Sequence, residues 1–201
     1  IFWPLISVFF VVQSFAQVTG GRNTYDFLSL SYSARVTALG GNLITVRDND
    51  LALAIQNPAA LNQEMHHRAT IQQSVYFAGI THGYAAYAYH ISKVPLTVQA
   101  GIQYISYGKF TRTSETGDVS GEFSGGENAI NIGVGYQATE RLSFGSNQRF
   151  IMSTFEGYNS LGWASDWAAM YADTSKRVTF SFVLKNLGAQ ITKYTPIGKR
   201  Y

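Results

Sequence analysis

From about residue 69 onward the sequence alternates apolar with small or polar side chains, and this period of two limits the fold more than any other feature. Leu96, Val98, Ala100, Ile102 and Tyr104 are interleaved with Thr97, Gln99, Gly101 and Gln103. Ile130, Ile132, Val134 and Tyr136 alternate with Asn131, Gly133, Gly135 and Gln137, and Val178, Phe180, Phe182 and Leu184 with Thr179, Ser181 and Lys185. Successive side chains of a strand point to opposite faces, so each segment has one apolar face and one small or polar face. Helix bundles and doubly covered parallel sheets do not write this pattern. Two antiparallel architectures do: a soluble sandwich with one wet face, and a transmembrane barrel that divides its side chains between lipid and an inner space.

Segment lengths, ends and connections weigh toward the barrel. Strands are predicted at 69–79, 82–91, 96–107, 127–137, 141–153, 161–172 and 177–187, close to the ~9–11 residues that cross a membrane as a tilted strand. Tyr76, Tyr87, Tyr89, Tyr104, Tyr107, Tyr136, Trp163, Trp167 and Tyr171 fall toward their ends, as aromatic girdles require. Connections at 92–95, 138–140 and 173–176 are tight and polar, whereas 108–126 and 154–160 read as longer loops rich in Gly and Ser. With the N-terminus on the periplasmic side, the tight turns are periplasmic and the long loops external; the short external connection at Ile80-Thr81 is the exception. Strand 141–153 mixes Leu142, Phe144 and Phe150 with Ser146 and Gln148 on one face, which predicts a bulge or partial cover. Charged residues are 13% of the chain and aromatics 14%, against about 25% charged in an ordinary soluble domain. The expected fold is therefore all-β, a transmembrane antiparallel β-barrel.

The first 68 residues have another texture. Ile1–Val12 is apolar and falls short of the ~20 residues a spanning helix needs. Ser14-Phe15-Ala16 then places small residues where a signal peptidase reads, so residues 1–16 are expected to be a signal peptide. Residues 17–68 are punctuated by Gly40-Gly41, Asp48-Asn49-Asp50 and Asn57-Pro58-Ala59, which predicts a compact non-strand segment with one helical turn near Asp50–Ala54. Residues 69–201 form the strand region. The sequence is expected to lack a few residues ahead of Ile1 and to continue beyond Tyr201.

Chemistry-bearing residues are few. The 15 Lys and Arg are spread thinly, so no nucleic-acid surface is expected. There is no Cys, hence no thiol nucleophile and no Cys-based metal site. His66, His67, His82 and His90 stand at no metal-ligand spacing; His82 and His90 share a strand face but lie ~27 Å apart. Glu115, Asp118, Glu122 and Glu127 read either as a solvated external loop or as ligands for a hard cation, and their spacing matches no EF-hand. Arg35 and Asp48 read either as polar contacts that hold the N-terminal segment inside the barrel or as solvated loop charges. Asn57-Pro58 sets a turn, and Asn57 is a third candidate contact. Asp166 is in phase with Ala164 and Ala168, opposite the aromatics, so it and Lys185 are expected to face the inner space, where charge is tolerated. No phosphate loop and no nucleophile elbow is present, so no catalytic residue and no cofactor is expected.

Ser33-Ala34-Arg35, Ala38-Leu39-Gly40-Gly41, Asp48 and Asn57-Pro58-Ala59 together resemble the opening of FadL-like outer-membrane barrels, in which such a segment plugs the pore. More closely, Gly20–Leu28, Ala38–Ile44, Tyr76–Ile80, Gly101–Tyr104, Tyr107–Phe110 and Leu184–Gly188, in that order, resemble the PorQ family of the Bacteroidetes type IX secretion system. The resemblance implies a barrel of about fourteen strands, about half of them in this sequence. It also implies a non-enzymatic role in the outer membrane, anchoring a cell-surface attachment complex with PorU, PorV and PorZ that links cargo to lipopolysaccharide. A FadL-like transporter of hydrophobic small molecules is the alternative.

Overall fold

The computed structural model describes residues 24–196; the expected signal peptide, residues 1–16, lies outside them. After an N-terminal segment without strands comes one antiparallel sheet of seven strands, each paired with its sequence neighbours. They are β1 (Arg68–Val75), β2 (Thr81–Ile91), β3 (Leu96–Thr113), β4 (Val119–Gln137), β5 (Leu142–Phe155), β6 (Tyr158–Asp173) and β7 (Val178–Pro196). Among the described residues β1 and β7 are not paired with each other, so the sheet is not closed.

Each turn of the N-terminal segment starts where a short polar side chain can replace a missing backbone partner. Ser33 Oγ accepts from Val36 N at the start of α1 (Ala34–Ala38). Asp50, Asn57 and Asn62 do the same for 3-10 turns at Leu51–Leu53, Pro58–Ala60 and Gln63–Met65, at 3.0, 3.0 and 2.8 Å. Pro58, with its fixed φ and no N–H, suits the first position of its turn.

The segment lies on one face of the sheet, and the sheet curls around it. Leu51–Leu53 packs against β1 and β2, Pro58–Ala60 against β4, β5 and β6, and Asn57 reaches Ser181 on β7. A flat seven-stranded sheet would hold β1 and β7 about 29 Å apart. Yet Asn57 N donates to Leu53 O, so the two ends of this contact lie one turn apart. Phe27, Leu28, Tyr32, Leu51, Ile55, Leu61 and Met65 are buried against Tyr84, Ala86, Ala88, Ile105, Ala129, Ile151 and Ala164. Full burial of each large apolar side chain stabilises by roughly 1.5–3 kcal/mol. Small inner residues make room for the segment. At Gly145 a methyl group would overlap the Pro58–Ala59 peptide, and at Gly135 it would press on Leu61 and the Pro58 carbonyl.

Several connections differ from the sequence reading. The stretch 108–126 is not a long loop. A register shift between Ser106 and Lys109, with Gly108 at φ 77°, lets β3 and β4 keep pairing through Phe110–Phe123 to a short turn at 114–118. Likewise 154–160 closes as a tight hairpin, Phe155 paired with Tyr158 around Glu156-Gly157. Conversely, β1 ends at Val75, and Tyr76–Ile80 forms the connection with Ala78 and Gly79 at positive φ, so the connection placed at Ile80-Thr81 is longer than expected. The bulge expected in strand 141–153 is absent: β5 pairs in unbroken register with both neighbours.

The two faces are chemically distinct. The outer face exposes Ile102, Ile130, Ile132, Phe144, Phe150, Leu161, Trp163, Trp167, Phe180, Phe182 and Leu184. The inner face buries Thr97, Gln99, Gln103, Asn131, Ser143, Asn147, Arg149 and Asp166.

Candidate functional site

The chemistry of the inner face is concentrated where β5 and β6 meet the N-terminal segment. Strand alternation puts Asn147 and Arg149 on one face of β5, and Asp166 on the same face of β6, directly opposite Asn147. Arg149 is 2% and Asp166 0% exposed. Two ions this deep need each other and a full set of hydrogen bonds, because desolvation otherwise exceeds the Coulomb gain. The guanidinium grips the carboxylate with both terminal nitrogens, Nη1 to Oδ1 at 3.1 Å and Nη2 to Oδ2 closer. Nη2 also donates to the Ile55 carbonyl at 3.1 Å, and Nη1 to Asn186 Oδ1 at 2.9 Å. Asp166 Oδ1 in turn accepts from the Asn186 backbone N–H at 2.7 Å. That amide is aimed inward by a bulge in β7, where the register shifts between Ser165 and Trp167 and Asn186 adopts φ 56°. Asn is among the few residues that tolerate this conformation.

Around this clamp a ladder of neutral groups ties wall to segment. Tyr84 Oη donates to Gln99 Oε1, Gln99 Nε2 to Asn147 Oδ1, and Asn147 Nδ2 to the Ala54 carbonyl, at 3.1, 3.1 and 3.0 Å. Ser143 Oγ donates to the Ala59 carbonyl at 2.8 Å. Tyr25 Oη and Ser160 Oγ lie 2.5 Å apart, and the Tyr25 ring covers Gly162, where a side chain would collide with it. Carbonyls of a strandless segment have no ladder partners, so inward-pointing wall side chains supply them.

No protein-family model matches this sequence, and no curated protein matches it. The site is therefore read from its own chemistry. Its hydrogen-bonded side chains are aimed at segment carbonyls and at each other, an arrangement for holding a filler in place, while Gln103, Asn131 and Arg149 Nε are buried without a hydrogen-bond partner among the described residues.

The sequence-derived candidates divide into separate places. Arg35 meets Asp48 at 2.6 Å and Asp50 at 3.3 Å, on the exposed side of the segment. The Asp48 hydrogen bond raises the Arg35 pKa above its usual value. These contacts join two parts of the segment and do not reach the wall. Asn57 does reach it: Oδ1 caps the following turn, while Nδ2 donates to Ile44 O at 2.6 Å and Ser181 Oγ at 2.9 Å. Asp166 lies on the inner face, bound to Arg149. Lys185 lines a cavity of about 230 Å³ with Arg149, Gln56 and Asn42.

One of these readings is corrected. Glu127 does not belong to a solvated loop: it is 4% exposed on the inner face of β4 and accepts from Tyr107 Oη at 2.6 Å. Three of the histidines, His66, His67 and His90, lie near one another. His66 Nδ1 accepts from the His90 backbone N–H at 3.1 Å, and the His66 and His67 rings lie 4.0 Å apart, because the start of β1 doubles back on β2. Among the described residues no group of three or more His, Cys, Asp or Glu could hold a metal ion.

Arg149 is the central residue that sequence reasoning missed. Its signal was available, since it keeps the phase of Ser143 and Asn147, opposite Phe144 and Phe150. The mixed outer face of that strand obscured it.

Proposed function

We propose that this chain is part of a non-enzymatic outer-membrane β-barrel of the PorQ type, exported to the bacterial outer membrane. There it anchors a cell-surface attachment complex with PorU, PorV and PorZ as partners, beside lipopolysaccharide. The observation that carries the membrane reading is the outer face. The central rungs of the sheet run from Ile91–Leu96–Tyr136–Phe144–Ala169–Phe182 to Ala85–Ile102–Ile130–Phe150–Trp163–Ala189, and no Asp, Glu, Lys or Arg stands on their outer side. Soluble monomers rarely leave a continuous apolar patch beyond a few hundred Å². On β5 itself the outer positions from Leu142 to Met152 carry no charge, over about 34 Å. At a tilt of ~40° that is roughly 26 Å in height, matching the ~25 Å apolar belt of outer-membrane barrels.

Anchoring is favoured over the transport of hydrophobic molecules by what occupies the inner face. A greasy conduit needs an apolar inner lining. Here Thr97, Gln99, Gln103, Asn131 and Asn147 are polar, and the segment is bonded to Asn147 and to the clamp. Anchoring then works as a rigid filled cylinder that presents the protruding β3–β4 hairpin to surface partners.

The test is the complete protein expressed in a Bacteroidetes host. The expectation is that it fractionates with outer membranes, resists carbonate extraction and co-purifies with the attachment partners. Monodisperse protein in plain buffer would sink the membrane reading. Membrane residence without those partners, together with uptake of a hydrophobic tracer, would favour transport.

A further inference from the structure

Where the N-terminal segment meets β5 and β7 it leaves a cavity of about 230 Å³, smaller than the ~300–1,000 Å³ of sites for drug-sized ligands. Its floor is closed by Leu28, Ile55, Gln56 and Arg149, all buried, and Ser29, Asn42 and Lys185 form an exposed rim. The lining holds two cations and no Asp or Glu. Behind the floor, the Asp166 carboxylate is already held by Arg149 and the Asn186 N–H. Arg149 and Asp166 neutralise each other, which leaves the charge of Lys185 over. Lys185 forms no ion pair among the described residues. The groups around it are able to donate. Ser29 Oγ accepts from Asn186 Nδ2 at 3.3 Å and keeps its own hydrogen to give. Gln56 uses both ends of its amide on the adjoining loop, Nε2 to Gly41 O and Oε1 from Leu43 N, each at 3.0 Å, which fixes Asn42 between them at the rim. Nη1 and Nη2 of Arg149 each make two bonds already, so Arg149 acts on the cavity through its charge.

We propose that this cavity binds one small oxyanion, a carboxylate or a phosphate, held by the Lys185 ammonium, the Ser29 hydroxyl and the Asn42 amide with Arg149 beneath. An anionic oxygen accepts from all three rim groups, and its bond to an ammonium is roughly twice as strong as one between neutral groups. A cation in the same place would face two like charges, and a neutral molecule would leave Lys185 without a counter-charge. Leu28 and Ile55 on the floor turn the charged head of the ligand toward the rim. Ser29 and Asn42 belong to the segment, and Lys185 and Arg149 to the wall. The ligand therefore bridges the two and favours the docked arrangement by mass action. This role goes beyond anchoring and does not depend on the membrane reading.

The test is equilibrium dialysis of the full-length protein, in uncharged detergent, against radiolabelled phosphate and radiolabelled acetate in separate arms. One equivalent of at least one of them is expected to bind saturably, and the tighter arm names the head group. Lys185→Met is expected to weaken binding at least about tenfold, because the charge-assisted bond is lost. Lys185→Arg should retain it, since the charge stays. Lys109→Met removes an exposed cation that pairs with Glu122 on the β3–β4 hairpin, and should change nothing. As a second readout, anion at about 100 Kd is expected to slow amide exchange across Leu53–Leu61 on the order of a hundredfold in wild type, and not in Lys185→Met. Binding that survives Lys185→Met, or falls equally with Lys109→Met, puts the anion elsewhere and overturns the site. Absence of saturable binding of either anion overturns it too: Lys185 is then served by solvent or by a carboxylate elsewhere in the full chain. Protein that binds the anion through Lys185 but never floats with membranes would overturn the membrane reading and leave this site standing.

Discussion

Removing the Asp166 carboxylate while leaving Arg149 in place is the sharpest test of the clamp. In Asp166→Ala the guanidinium stays buried beside the Ile55 carbonyl and Asn186 Oδ1 but loses its counter-ion, and the Asn186 N–H loses its acceptor. Breaking a buried ion pair on one side typically costs about 3–5 kcal/mol. Here the lost energy falls on the contact between wall and segment, so it raises the population in which the segment has left the inner face. With about 1.4 kcal/mol per factor of ten, amide hydrogen exchange through Leu53–Leu61 is expected to quicken on the order of 10²–10³-fold in the full-length protein. Exchange in the middle of β3 and β4 should change little. The double variant Arg149→Met/Asp166→Leu is expected to recover most of the protection, since replacing a buried pair by apolar side chains is often neutral or better. It should stop short of wild type, because the Ile55 carbonyl remains unpaired at about 1–3 kcal/mol. Exchange of Leu53–Leu61 within tenfold of wild type in Asp166→Ala would refute the idea that the clamp holds the segment.

Other outcomes follow from the same geometry. Gly145→Ala places a methyl group on the Pro58–Ala59 peptide, so limited proteolysis should cut within residues 24–67 much faster than in wild type. Asn57→Ala removes a turn cap and the Ser181 bond, and a loss of about 1 kcal/mol should appear as a lower melting temperature that Ser181→Ala, made on top of it, deepens only slightly. Arg35→Gln, whose partners are exposed and belong to the same segment, should leave both exchange and melting unchanged. Ile132→Lys on the outer face should reduce outer-membrane yield, in line with about 2–4 kcal/mol for a mid-belt cation, whereas Thr116→Lys at the hairpin tip should not; equal yields would argue against a lipid-facing surface.

The parts of the fold legible in sequence are those set by local rules. Alternation located every strand of the sheet, and Asp50 and Asn57 announced turns because a short polar side chain before an apolar run has few other uses. Strand ends were less legible. Gly and Ser between 108 and 126 read as loop, yet register shifts at Gly108 and at Arg112–Thr113 keep the strands paired, and only the opposing strand decides that. The site was legible by face and not by partner. Asp166 could be assigned a side from its phase, but its link to Arg149 depends on the register of β5 against β6. The same limit hid the meeting of His66 with His90, which arises from the chain reversing over β1. Arg35 and Asp48 illustrate the converse: opposite charges in one segment found each other before either could find the wall.

The strand ladders pair only sequence neighbours, whereas wall-to-segment bonds such as Ser143–Ala59, Tyr25–Ser160 and Asn186–Ser29 join residues 84, 135 and 157 positions apart. Closing such long stretches carries an entropy that short hairpins avoid. On that ground the hairpins are expected to pair before the N-terminal piece docks, although that piece comes first in the sequence. Without that piece Arg149 and Asp166 keep each other and Asn186 but lose the Ile55 carbonyl, and the inner face becomes an open polar trough.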